Sequence, residues 1–251
     1  MSMHIISLGA GVQSTTMLLM AMHGEIEPMP DCAIFADTGW EPKAVYDHLA
    51  WLESVSTIPI KRVSAGNIRV DALSGARFAT MPVFVTGVTD GMLRRQCTNE
   101  YKIRPIQRML RELNPKGITT LWLGISTDEA ARMKESRVKY AVHRFPLAIE
   151  KRVSRSDCLA WLSDRDYPQP PRSACIGCPY RRNSEWRTLT ADEFADAVDF
   201  DYAIRDSWQR IKGRVYLHSD CVPLDMVDLR TEQEKGQLDL WGNECEGMCG
   251  L

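Results

Sequence analysis

The chain has 251 residues, 44% hydrophobic and 25% charged, enough apolar material for one full-sized core with a small extension. A formal net charge of -2 gives no global attraction to nucleic acid or anionic membrane, and the basic clusters Arg94-Arg95, Lys102-Arg104-Arg108-Arg111 and Arg181-Arg182 read as solvated helix faces. No apolar segment reaches the roughly 20 residues of a membrane span and no charged-then-apolar signal pattern opens the chain, so a cytoplasmic protein is expected.

Residues 3–9 (MHIISLG) read as a buried strand, followed by a helical pattern over 13–23. Strand readings at 32–37 (CAIFAD), 58–64 (IPIKRVS) and 120–126 (TLWLGIS) alternate with helical patterns at 42–55 and 102–113. The alternation predicts an α/β fold, a doubly wound, mostly parallel five-stranded sheet of Rossmann-like type with helices on both faces. Between residues 65 and 100, four glycines and little periodicity predict an active-site loop or excursion. After residue 150 the composition changes. A helix near Ser154, a proline-rich stretch DYPQPPRSACIGCPYRR, a helix over about 190–211 and a tail ending NECEGMCGL predict a small helical, cysteine-bearing extension. The expected domains are therefore 1–150 and 151–251.

Eight cysteines stand at 32, 97, 158, 175, 178, 221, 245 and 249. Cys32 and Cys158 sit in apolar patterns and read as small core residues, whereas the Cys175-Ile-Gly-Cys178 pair points to metal or redox chemistry.

The loop Gly9-Ala10-Gly11-Val12-Gln13-Ser14-Thr15 joins the first strand to the first helix. In a doubly wound sheet such a loop lies at the carboxyl edge of the strands, with free amides and the positive helix end facing the crevice, so a phosphate is the natural ligand. A Walker A loop requires a lysine that is absent. A dinucleotide fingerprint places a glycine where Ser14 stands, although Asp37 ends the second strand near the position of a ribose-binding acid. A tight turn without ligand is the remaining reading.

LGAGVQST resembles the PP-loop, usually S-G-G-x-D-S, of the adenine-nucleotide alpha-hydrolase superfamily. FADTGWEPKAVYDHL resembles the D-T-G-x-x-x-P-E-T segment of phosphoadenylylsulfate (PAPS) reductases, matched at Asp37, Thr38 and Gly39. LGISTDEAARMKES resembles G-x-R-x-D-E/Q-S-x-x-R, matched at Gly124, Asp128, Glu129 and Arg132, and CIGCPYR resembles a later G-C-x-x-C-P turn. The resemblance covers most of residues 4–190 and implies a PP-loop fold whose nucleotide contacts fall on Gly9, Ala10, Gly11, Gln13, Ser14, Thr15, Asp37, Thr38, Gly39, Gly124 and Arg132. Three departures stand out: Gly9 replaces the first serine of the loop, Gln13 replaces the loop aspartate, and Ser126 replaces the arginine of G-x-R-x-D.

Cys97, in RRQCTNEYKIRPIQRML, resembles half of the C-C pair of cluster-bearing adenylylsulfate reductases. With Cys175 and Cys178 it makes three thiolates for a 4Fe-4S cluster, completed by Cys245 or Cys249 or left with an open iron; zinc and a metal-free turn are the rival readings.

The resemblance implies ATP cleavage between the alpha and beta phosphates, with Ser14, Asp128 and a magnesium ion at the departing pyrophosphate and an acceptor activated for sulfur transfer or nucleic-acid modification. The alternative is a PAPS or adenylylsulfate reductase in which Cys249, in a partial C-G-L match lacking the usual histidine, attacks the substrate sulfur. A nucleotide-sensing accessory protein of a phage, mobile-element or CRISPR system is the third reading. The expected partners are an adenine nucleotide, with a nucleic-acid acceptor, a sulfur donor or thioredoxin, and a second copy of the chain as candidates.

Overall fold

The structure is a computed structural model that describes residues 3–75, 81–87, 90–206, 211–231 and 234–236. In chain order its main elements are β1 (Met3–Leu8), α1 (Val12–Met22), β2 (Cys32–Asp37), α2 (Lys43–Val55), β3 (Ile60–Ser64), α3 (Ile68–Ser74), β4 (Phe84–Gly87) and β5 (Gly91–Met92). There follow α4 (Arg104–Leu113), β6 (Thr119–Leu123), β7 (Ala141–Arg144), α5 (Arg155–Ser163), α6 (Asn183–Trp186), α7 (Ala191–Ile204) and β8 (Gly213–Tyr216). The chain forms two compact units, each assembled from separate segments: residues 1–37, 43–65 and 103–173 make the first, and 38–42, 66–102 and 174–251 the second.

The first unit holds a five-stranded sheet of order β3-β2-β1-β6-β7, parallel throughout. Period-two alternation decides which side chains enter which face. Ile6, Leu8, Ala33, Phe35 and Trp122 point to one side, where they pack with α1, α2 and α5 around Leu18, Leu49 and Leu162. Ile5, Ile34, Ala36, Leu121 and Leu123 point to the other, against Ile106 and Leu110 of α4. With helices on both faces, the predicted doubly wound α/β fold is the observed one. Each of these large aliphatic side chains contributes about 1.5–3 kcal/mol on burial.

β6 ends at Leu123, three residues before the expected end, because Gly124-Ile125-Ser126 leave the sheet toward the turn after β1. The fifth strand, β7, is a four-residue edge strand whose Val142 is exposed, which is why its sequence carries little strand periodicity. α5 starts where expected, with Ser154 and Asp157 forming a reciprocal cap, and its Cys158 lies in the same core as α1. For that reason contacts group residues 151–173 with the first unit.

In the second unit, β4 pairs antiparallel with β5 and with β8. Part of the expected loop over 65–100 is therefore ordered structure. Asn67 caps α3 by accepting the amides of Arg69 and Val70, and α7 is capped by Thr190 with Glu193. Asp201, fully buried on α7, accepts the amides of Leu217 and Leu224 and pairs with Arg205.

Candidate functional site

β1 lies between β2 and β6, so the turn that follows it sits at the point where the strand order reverses. The turn is built differently from a glycine-dictated one. Its left-handed residue is Ala10, at φ +55°, fully buried, while Gly11 is the extended residue before α1. A Cβ on Gly9 or Gly11 would make only ordinary contacts, at 3.6 and 3.5 Å, so the two glycines serve to leave the backbone bare. The Gly9 amide donates to Ser14 Oγ at 3.1 Å and that hydroxyl donates to the Gly11 carbonyl at 3.3 Å, closing the turn on itself. The amides of the first turn of α1 have no intrahelical acceptor and point out of the helix start.

Gly124 is the residue that requires glycine: a Cβ there would lie 2.9 Å from the Ser14 nitrogen and 3.0 Å from its Cα. The Gln13 side-chain amide reaches Ser126 Oγ at 3.4 Å and Glu129 Oε2 at 3.3 Å. Two departures from the patterns thus meet, a neutral glutamine on a buried serine where the PP-loop has an acid and the G-x-R-x-D segment an arginine. Glu129 is ion-paired with Arg132, and Asp128 accepts the Arg155 amide at the start of α5.

The Thr15 hydroxyl is turned into the core against His48 Nε2 at 3.0 Å, with Thr15 fully buried. Burial drops His48 to about 4, which keeps the imidazole neutral at physiological pH. Asp37, at the end of the first unit's first segment, accepts Tyr46 Oη at 2.8 Å.

Thr38 and Gly39 open the second unit. Thr38 Oγ1 donates to Glu41 at 3.0 Å and lies 3.2 Å from Cys175 Sγ, while Gly39, at φ +72°, packs against Asn67. Thr38, Cys97, Cys175 and Cys178 line one cavity of about 30 Å³, room for a single water. Burial and the neighbouring Glu41 carboxylate push the Cys175 thiol far up, and Lys102 Nζ lies 3.7 Å from that carboxylate. Glu41, 3% exposed, went unnoticed in the sequence, where a glutamate two residues after a glycine has no distinctive pattern.

The Cys175–Cys178 turn is braced from within. Arg181, buried, donates to the carbonyls of Ala174, Cys175 and Ile176 at 2.9–3.2 Å, and Gly177 abuts the Trp40 ring so closely that a Cβ would lie 2.3 Å away. Among the described residues no group of three or more His, Cys, Asp or Glu is placed to hold a metal ion. Cys97, Cys175 and Cys178 share that one cavity, and the other expected ligands, Cys245 and Cys249, lie outside the described residues. No helix among the described residues is long and apolar enough to cross a membrane.

The first unit is thus a doubly wound α/β protein with a bare-backbone strand-to-helix turn at its switch point. Among solved structures the chain is similar to phosphoadenylyl-sulfate (PAPS) reductase from Candida auris, in a phosphate complex, at 12% identity and a TM-score of 0.47, over 68% of this chain and 76% of that one. No family model and no curated protein matches the chain.

Proposed function

We propose that the chain is an adenine-nucleotide enzyme of PAPS reductase-like type, in which the turn after β1 holds the phosphate end of PAPS or adenylylsulfate. The observation that carries this reading is the turn itself: bare backbone at Gly9 and Gly11, Ser14 spent on bracing, and Gly124 clearing space at the α1 start. Helix-start amides then supply donors to an anion without a cationic side chain.

In the reductase reading, the Cys249 thiolate attacks the sulfonate sulfur. A cysteine S–S bond forms, the S–O bond to the nucleotide breaks, and the nucleotide phosphate leaves with the electron pair. A dithiol reductant of thioredoxin class then attacks the cysteine sulfur, is oxidised to a disulfide and releases sulfite.

ATP cleavage between the alpha and beta phosphates is the second reading. It is weakened by Asp128 and Glu129, whose carboxylates are already engaged by Arg155, Gln13 and Arg132 and so are less available to magnesium. Parallel incubations with PAPS, adenylylsulfate and magnesium-ATP, each with thioredoxin and dithiothreitol, decide between them. Sulfite release that disappears in Cys249→Ser is expected. AMP and pyrophosphate from ATP with no sulfite would overturn the reductase reading in favour of the second, and nucleotide binding without any product would leave the sensing role.

A further inference from the structure

The basic face of α4 read from the sequence as solvated, yet its geometry is that of a binding groove. Arg104, Arg108 and Arg111 follow i, i+4, i+7 spacing, which stacks them along one side of the helix. They line an open groove of about 380 Å³ together with Gln107, Glu112 and Tyr140. The three arginines are exposed, and among the described residues none is paired with a carboxylate; Glu112, the acid in the groove, makes no ion pair with Arg108. Arg111 lies over the Tyr140 ring at 4.6 Å, which places its guanidinium against one wall of the groove. The segment that leads to Tyr140 adds exposed Arg137 and Lys139.

We infer that this groove is a docking surface for a nucleic-acid phosphate backbone. From Arg104 to Arg111 the helix rises about 10.5 Å, and each strand of a duplex carries one phosphate per roughly 3.4 Å of duplex axis, so the face runs past about three successive charges. One isolated phosphate cannot engage guanidiniums spread over that length, whereas a regular polyanion can. Like charges held together without ion-paired acids cost stability in the free protein, and a polyanion removes that cost while releasing its own counterions. A local patch of this kind is compatible with the chain's overall charge of -2, because screening confines the field to about 8–10 Å at ordinary ionic strength. The inference is independent of the nucleotide reading, since the groove lies on α4 and the turn after β1 contributes nothing to it.

The test is fluorescence anisotropy of the full chain with a short labelled duplex and with its single strand, from about 50 to about 200 mM salt. A log–log salt slope of roughly -2 to -3 is expected. Each single Arg→Gln change at 104, 108 or 111 should reduce the slope by about one, and the triple variant should bind at least about tenfold more weakly at low salt while keeping its circular dichroism spectrum. Absence of salt-dependent binding, or an unchanged slope in the folded triple variant, would overturn the inference. So would inorganic phosphate competing as well as the duplex, or preferential binding to vesicles rich in phosphatidylserine.

Discussion

Gln13 donates its side-chain amide to Ser126 Oγ at 3.4 Å, across 113 residues of sequence. The contact joins two positions at which the sequence departs from the patterns it resembles, and because both side chains are neutral neither leaves an unpaired charge in a partly buried place. Gln13→Asp alone should place a carboxylate beside Glu129, and Ser126→Arg alone should force a cation into a fully buried position. Each should cost about 2–4 kcal/mol. The double variant should recover at least about 1 kcal/mol of the summed loss, measured as a coupling energy by denaturant unfolding. Strict additivity would show that the two positions do not interact.

Gly124→Ala adds a methyl 2.9 Å from the Ser14 nitrogen, a contact that only movement of the turn can relieve. Stability should fall by about 1–3 kcal/mol. Nucleotide affinity, read by calorimetry, should fall at least about tenfold, an effect of about 1.4 kcal/mol on binding. Gly9→Ala is the control for the stability loss, because its Cβ meets nothing nearer than 3.6 Å.

His48 is neutral in the folded chain at pH values where the unfolded chain is protonated. Its folded value of about 4 lies below the ordinary 6.5, so its contribution is fully present above about pH 6.5 and is lost as pH falls toward 4. The loss amounts to about 3 kcal/mol at the acid end. His48→Gln should flatten the melting temperature across that window, and an unchanged acid slope would show that other groups carry it.

Arg181 ties the Cys175–Cys178 turn through the carbonyls of Ala174, Cys175 and Ile176. Arg181→Leu should therefore destabilise the chain by about 2–4 kcal/mol by leaving buried carbonyls unmatched. In the native chain the raised Cys175 thiol should alkylate with iodoacetamide far more slowly than in urea, as followed by mass spectrometry. Arg181→Leu should speed that labelling; equal rates in the two chains would separate the turn from the arginine.

Much of the architecture was legible in the sequence because strand and helix periodicities are local. β1, β2, α1, α2 and the Ser154 cap fall within a residue or two of their expected places, and Ile5 and Ile6 go to opposite faces as alternation requires. The Gly9–Gly11 turn was visible for the same reason, as glycines between a strand and a helix. What tertiary structure alone decided were the relations between distant segments. It placed the left-handed backbone at Ala10, turned Thr15 inward to His48, set Gln13 on Ser126 and put Arg181 under the cysteine turn. It also drew α5 into the first core. Short-range propensity says which residues are polar or small; which partner a buried polar group takes depends on packing that brings residues more than 100 positions apart to within a hydrogen bond.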